Sequence, residues 1–306
     1  MEKAYTPTRY EEAVRLLPQR LRRAAEELSA ETKENAEELR LRAGGRLTVL
    51  CGGKELPLGG EDFLVKQEEL ETVCNIVTEF SRYAAADTLR RGYLTAPGGY
   101  RIGVCGTAVT KNGENTILKD FSSMCIRISR ERPGIASPLF GELYPDGEFV
   151  STLLVAPPGY GKTTLLRDCI RTLSDGTDTM PPRRVGLVDE RGEVACMKEG
   201  RAQMNVGTHT DVYDGVPKAE GMEMLLRTMN PEVIAVDEIT AHSDLKAMAR
   251  CANCGVKLLA TVHAATREEL LARPLFKKLL HLRVFRKSVW IGMEYGIRTY
   301  RTEELP

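Results

Sequence analysis

Long apolar runs are missing from this chain of 306 residues. No stretch approaches the ~20 consecutive apolar residues that a membrane-spanning helix needs, so we expect no direct membrane insertion, while docking onto a membrane protein stays open. The first residues, MEKAYTPTRYEEAV, are polar and acidic, whereas a signal peptide starts with basic and then apolar residues. The sequence therefore predicts a cytoplasmic protein.

The chain also lacks net charge, because Lys plus Arg and Asp plus Glu number 43 each. This balance gives no reason to expect nucleic acid or an acidic membrane surface as a partner. A compact cysteine framework is missing too, and the eight scattered cysteines are typical of reduced thiols that serve as small core residues. Only Cys251 and Cys254 form a CxxC pair, with no second pair after it, so we interpret this pair as structural.

The first part of the chain predicts a small α+β domain. Helical sequence starts at residue 10, a hairpin joins strands near 39–41 and 47–49, a helix follows over 68–86, and strands are predicted over 98–109 and 124–128. Prolines and glycines between 132 and 149 indicate a linker. We predict an N-terminal domain over 1–135, a linker over 136–149 and a second domain over 150–306.

The second part alternates short apolar strands with helices. The strands are predicted over 152–155, 185–188, 233–236 and 257–261, the pattern of a parallel sheet covered on both faces. Together with the motif described next, this pattern predicts an α/β fold: a P-loop NTPase domain of the RecA/AAA+-like type, preceded by the smaller α+β domain.

A phosphate-binding loop is predicted between the first of these strands and its helix. The segment Ala156-Pro-Pro-Gly-Tyr-Gly-Lys-Thr163 matches G-x-x-x-x-G-K-[ST] everywhere except at its first position. We expect ATP to bind here, with backbone N–H groups around the phosphates, Lys162 on the β- and γ-phosphates and Thr163 on Mg²⁺. The predicted nucleotide-binding residues are Pro158, Gly159, Tyr160, Gly161, Lys162, Thr163 and Thr164.

Two later strands end in acidic pairs. Asp237 is predicted to hold Mg²⁺ and Glu238 to act as general base, the alternative being that both acids only cap the helix over 241–253. For Asp189 and Glu190, orientation of water or metal and ion pairing with Arg184 or Arg191 remain equal alternatives.

His263 ends the fourth predicted strand, at the same edge of the sheet as the acids. From there its side chain would contact the γ-phosphate or the attacking water. The alternative is an ordinary surface or core histidine.

Several separate segments resemble the stage III sporulation protein AA family, which is itself similar to the type II and type IV secretion ATPases. They are APPGYGKTTLLRD, VGLVDERGE, TDVYDGVPKAEGMEMLLRTMNPEVIAVDEI and TVHA in the second part, and EELRLRAGGRL, GGYRIGVCGTAV and LKDFSSMCIRISR in the first. The resemblance covers most of the chain. By this likeness Asp189-Glu190 matches the aspartate box, Asp237-Glu238 the Walker B element and His263 the histidine box.

The resemblance implies a mother-cell ATPase of endospore-forming bacteria. It implies a homo-oligomeric ring, expected to be a hexamer, at the cytoplasmic face of membrane-embedded sporulation channel proteins. Arginines act in trans in such rings, and Arg127, Arg130 and Arg227 are the candidates, with simple surface solvation as the alternative for each. The chain departs from the family at His209, where we expect the family to carry an arginine, so the resemblance implies no fixed positive charge at this position.

Two other classes of function stay open. Basic segments at 20–23 and 127–132 allow a nucleic-acid-associated ATPase, although no nucleic-acid-binding module accompanies them and acidic residues lie close by, so no nucleic acid is expected. A scaffold that binds nucleotide without turning it over is the third class.

Overall fold

The computed structural model of the protein describes residues 8–79, 85–111, 114–128, 131–294 and 297–305. The chain forms two compact units, the first ending at Arg130 and the second beginning at Glu131. Within these described ranges, no helix is both long enough and apolar enough to cross a membrane.

The first unit is a six-stranded antiparallel sheet with helices. Its elements are α1 (Arg9–Val14), α2 (Gln19–Glu26), α3 (Ala30–Asn35), β1 (Ala36–Arg42), β2 (Thr48–Cys51), β3 (Lys54–Pro57), α4 (Gln67–Val77), α5 (Ala86–Arg90), β4 (Tyr93–Ala96), β5 (Tyr100–Lys111) and β6 (Glu114–Arg127). The strand order is β3-β2-β1-β6-β5-β4, with antiparallel pairing throughout. The predicted α+β character is confirmed.

The predicted hairpin is confirmed, with Leu39 of β1 opposite Val49 of β2. The helix predicted over 68–86 is confirmed in its first part, since α4 spans Gln67–Val77 and buries Leu70 and Val73. The helix ends earlier than predicted, because Thr78 is its C-cap and Glu79 has a φ of 49°, and the predicted positions 80–84 lie outside the described residues.

The second unit contains a seven-stranded sheet with helices on both faces. Its elements are α6 (Phe140–Leu143), β7 (Thr152–Ala156), α7 (Lys162–Asp175), β8 (Val185–Asp189), β9 (Met197–Lys198), β10 (Arg201–Ala202), β11 (Thr210–Asp214), α8 (Lys218–Thr228), β12 (Val233–Val236), α9 (His242–Asn253), β13 (Lys257–His263), α10 (Arg267–Ala272), α11 (Pro274–His281), β14 (Lys287–Glu294) and β15 (Ile297–Glu304). The order is β11-β8-β12-β13-β7-β14-β15, and only β15 runs antiparallel to its neighbour.

The four predicted strands of this sheet are confirmed as β7, β8, β12 and β13. Along β7, Leu154 and Ala156 pack into the core on one face, whereas Leu153 and Val155 pack into the core on the other. Burial on both faces explains why these strands are continuously apolar rather than alternating. Strand β13 lies between β7 and β12, and β8 follows β12, so neither strand that ends in an acidic pair is next to β7.

The segment predicted as a linker, 136–149, is instead part of the second unit. Its side chains Leu139, Phe140 and Phe149 are buried in the same core as Leu166 of α7. Its backbone is also tied to that helix, since the N–H of Ala136 donates to Asp168 at 2.8 Å. Proline and glycine limit regular secondary structure here. Burial of the apolar side chains between them still stabilises the fold, because it removes apolar surface from water.

The expectation that all cysteines are core residues is correct only in part. Cys74, Cys169, Cys196 and Cys251 are buried, whereas Cys105 and Cys254 are exposed. Cys254 follows the last turn of α9, so the CxxC pair points one thiol into the core and the other to solvent.

Candidate functional site

The predicted phosphate-binding loop connects the end of β7 to the start of α7. Gly159 and Gly161 have φ angles of 81° and 84°, a left-handed conformation that glycine adopts without steric cost. Ala156 stands where the motif has its first glycine, yet it is the fully buried last residue of β7. Because its Cβ packs into the core, an alanine fits there. Pro158 and Gly159 are exposed, and Tyr160 and Thr164 are partly buried.

Lys162 is only 6% exposed, and its ammonium group contacts the carbonyl oxygens of this loop. It donates to Ala156 O at 2.8 Å and Pro157 O at 2.9 Å, and its third contact is His263 Nδ1 at 2.7 Å. Burial lowers the pKa of Lys162 to about 8, against the opposing effect of the acids Asp237 and Glu238. An ammonium has three donors, so a phosphate must replace at least one of these acceptors when it binds Lys162.

Thr163 and Asp237 meet across the sheet edge. The Thr163 hydroxyl donates to Asp237 Oδ2 at 3.1 Å, and the buried Thr261 hydroxyl donates to Asp237 Oδ1 at 2.5 Å. Hydroxyl and carboxylate oxygens are the ligands that Mg²⁺ prefers, so this pair fits the ion that sequence reasoning assigns to it.

Glu238 is held in a strained backbone conformation, with φ of 49°. Its N–H donates to Thr261 Oγ1 at 2.8 Å, while its carboxylate pairs with Arg191 at 2.7 Å and lies 3.4 Å from His263 Nε2. Non-glycine residues with positive φ are uncommon and cluster at functional sites. The start of α9 is capped by Asp244 rather than by Glu238, since Asp244 accepts the N–H groups of Thr240 and Ala241.

His263 links the lysine to this glutamate. The Lys162 ammonium can only donate, so His263 Nδ1 accepts and the proton of the neutral ring lies on Nε2, which faces Glu238 Oε1. The predicted convergence of Lys162, Glu238 and His263 is thus present in the geometry, although their roles in catalysis stay predictions.

The two acids that follow β8 have different surroundings. Asp189 is buried and accepts the N–H groups of Glu193, Val194 and Ala195 at 2.8–2.9 Å. Burial raises the pKa of Asp189, and these hydrogen bonds oppose the rise. Asp189 therefore anchors the loop after β8.

Glu190 forms an ion pair with the buried Lys218 at the start of α8. The predicted ion-pair partners Arg184 and Arg191 pair instead with Glu232 and Glu238. Glu190 as a second catalytic acid stays a prediction.

The remaining predicted residues lie elsewhere. Arg127, the last residue of β6 in the first unit, has its Nε 3.9 Å from Glu38, and Arg130 lies outside the described residues. Arg227 pairs with Glu223 one turn away on α8. His209 is exposed, and its Nδ1 contacts Ser174 O at 2.9 Å near the end of α7.

Thr261 is a further residue of the site, to which the sequence motifs assign no role. A single hydroxyl in the otherwise apolar strand LLATV is a signal for it, because buried polar groups need hydrogen-bond partners. Its hydroxyl joins Asp237 and the backbone of Glu238 across adjacent strands.

We expect Thr261→Val, a nearly isosteric change, to destabilise the protein by about 1–3 kcal/mol, because it leaves the Glu238 N–H and Asp237 without this partner. ATP turnover should fall as well, since Asp237 and Glu238 each lose the hydrogen bond to Thr261 that holds them in position. Urea unfolding and turnover assays measure the two effects. Thr261→Ser keeps the hydroxyl and should behave like the parent protein; a serine variant as impaired as the valine variant would contradict this role.

The strand order and the loop geometry define a class, the P-loop ATPase fold. The ATPase DotB of Yersinia pseudotuberculosis has a similar structure, with a TM-score of 0.61 and 16% identity over 99% of this chain and 81% of that one. The pilus retraction motor PilT, solved with bound ADP, has a TM-score of 0.56 and 15% identity over 90% of this chain and 81% of that one.

The chain belongs to the family described as sporulation stage III, protein AA, whose model matches residues 7–300. Stage III sporulation protein AA of Bacillus subtilis (strain 168) is 35% identical over 285 residues, which cover 93% of this chain and 92% of that protein. The family resemblance and the fold class predicted from sequence are confirmed.

Proposed function

We propose that this protein is an Mg²⁺-dependent ATPase that serves as a motor for a membrane-embedded, secretion-like or channel-like complex during endospore formation. The observation that carries the proposal is the convergence of Lys162, Thr163, Asp237 and Glu238 at one sheet edge. The names of the similar proteins, an ATPase, a pilus retraction motor and a sporulation protein, support its cellular part.

The phosphates of ATP would lie at the start of α7. There the backbone N–H groups of the loop and the positive end of the helix attract negative charge. Lys162 would exchange one of its loop carbonyls or His263 for phosphate oxygens.

Thr163 and Asp237 are the residues that would hold Mg²⁺. The bound ion would supply positive charge next to the phosphate oxygens. Thr261 keeps the Asp237 carboxylate oriented through its 2.5 Å hydrogen bond.

Glu238 would accept the proton of the attacking water as general base. One of its oxygens is bonded to Arg191 and the other faces His263. His263 would hold this carboxylate in place. Because His263 also contacts Lys162, it would fix the distance between the carboxylate and the phosphates that Lys162 binds. We propose that Glu190, which pairs with Lys218, is a second acid that orients water or the metal ion at the same edge of the sheet.

Assembly into a homo-oligomeric ring, proposed to be a hexamer, would let a neighbouring copy contribute Arg127 or Arg130 to the site. We place the ring at the cytoplasmic side of membrane-embedded sporulation channel proteins, in the mother cell. These parts rest on the likeness to secretion ATPases.

The purified chain is expected to hydrolyse ATP only with Mg²⁺, at a rate that single-stranded DNA does not change. Part of the basic segment 20–23 is already engaged, since Arg20 pairs with Glu69 and Arg22 donates to the carbonyl oxygens of Arg15 and Leu17. Turnover with and without DNA tests this, and light scattering should show a higher mass with ATP and Mg²⁺. Strong, salt-sensitive stimulation by DNA would favour the nucleic-acid alternative.

A further inference from the structure

Arg298 of β15 lies against the phosphate-binding loop. A Cβ atom built on Gly161 would be 2.4 Å from Arg298 Nη2 and 2.5 Å from its Cζ. The guanidinium group therefore occupies the space where any other residue at position 161 would place its side chain. Glycine is favoured at position 161 by its φ of 84°, and a larger residue there would also displace the Arg298 guanidinium group.

The topology explains how a residue so late in the chain reaches this loop. Strand β14 runs parallel to β7, and β15 pairs antiparallel with β14 on the side away from β7. The start of β15 is therefore at the same edge of the sheet as the end of β7, where the loop begins. Arg298 pairs in register with Met293 near the end of β14.

The charge of Arg298 has no acidic partner among the residues that the structure describes. Within the described parts of the chain the half-buried Arg298 forms no ion pair, whereas Arg183 pairs with Glu232, Arg191 with Glu238 and Arg301 with Glu303 in the same unit. Burial lowers the pKa of Arg298, and the positive charge of Arg132 adds to this effect. A partly buried cation beside another cation is unfavourable unless an anion joins them.

We propose that Arg298 binds a phosphate group of the nucleotide held by the loop, and that it does so from within the same chain. The proposal rests on the proposed function, since the anion in question is the phosphate of ATP or ADP. A guanidinium group can donate two parallel hydrogen bonds to phosphate oxygens, and its position against Gly161 is next to the backbone N–H groups that surround them. Arg132 adds positive charge nearby.

Calorimetric binding of ATP, ADP and adenosine to the full chain tests the proposal. Arg298→Ala should weaken ATP and ADP binding roughly 10- to 100-fold, which corresponds to the loss of a charge-assisted contact, and leave adenosine binding unchanged. Arg298→Lys should recover part of the affinity. Arg301→Ala is the matched control, because Arg301 is on the same strand, is exposed and pairs with Glu303.

Three results for Arg298→Ala would overturn the role of Arg298. The first is an unchanged ATP affinity, and the second is tighter ATP binding, which would mean that the guanidinium competes with phosphate. The third is an equal loss of adenosine and ATP affinity, which would indicate a structural defect. If the alanine variant does not fold, Arg298→Gln removes the charge and keeps a planar polar group, and the same comparison applies. A parent protein that binds no nucleotide at all would refute the proposed function itself. That result is distinct from a variant that binds as well as its parent.

Discussion

Lys162→Ala is expected to lose ATP affinity by roughly 100-fold or more, since each hydrogen bond to a charged group contributes about 1.5–3 kcal/mol and the ammonium would contact two phosphates. The protein should remain folded. Removal of the ammonium relieves an unfavourable burial but leaves the carbonyl oxygens of Ala156 and Pro157 without this donor, so the two effects on stability oppose each other. Isothermal titration with ATP and Mg²⁺ measures the loss of affinity, and thermal unfolding checks the fold.

Lys257→Ala is the matched control for this lysine. Lys257 begins β13, the strand that His263 ends, and its ammonium lies 3.9 Å from Glu148 at the opposite edge of the sheet. ATP binding should be unaffected by its loss. Retention of ATP affinity in Lys162→Ala would remove the basis of the proposed site.

Glu238→Gln should reduce ATP turnover by roughly 10²- to 10⁴-fold, the usual contribution of a general base, with ATP binding nearly unchanged. Glutamine has almost the same shape but cannot take a proton at neutral pH. The variant should therefore accumulate bound ATP, which rapid separation and analysis of the bound nucleotide detects. Turnover equal to that of the parent protein would rule out Glu238 as the base.

Two glutamates serve as comparisons. Glu232 immediately precedes β12, at the end opposite to Glu238, and pairs with Arg183 and Arg184. Glu232→Gln should lower stability slightly and leave turnover intact. Glu190→Gln tests the second predicted catalytic acid. A loss of ATP turnover as large as that of Glu238→Gln would mean that both Glu190 and Glu238 take part in hydrolysis.

Much of the second unit could be predicted from the sequence because its central strands are buried on both faces. Strands such as Val233–Val236 are then uninterrupted apolar runs, which are easy to recognise. The loop between β7 and α7 was predictable for another reason. Its glycines at fixed spacings match the P-loop motif, which consists of consecutive residues and can therefore be recognised without the structure.

Other elements were not predictable for equally physical reasons. Strand β11 is a short edge strand, TDVYD, with no fully buried residue, so it lacks an apolar run. The hairpin of β14 and β15 mixes charged and apolar residues, because β15 has only one neighbour in the sheet. The segment over 136–149 contains the prolines and glycines of a linker, and only its packing against α7 identifies it as core.

The sequence by itself determined the class of fold, the family and the loop between β7 and α7 that we predict to bind phosphate, since each is recognised from residues that are close together in the sequence. Tertiary structure decided which side chains meet: the contact of Lys162 with His263, the position of Thr261 between two acids, and the approach of Arg298 to Gly161. Strand order and register bring these residues together across more than 100 positions in two of the three cases. Such long-range pairings depend on packing of the whole sheet, so no local pattern encodes them.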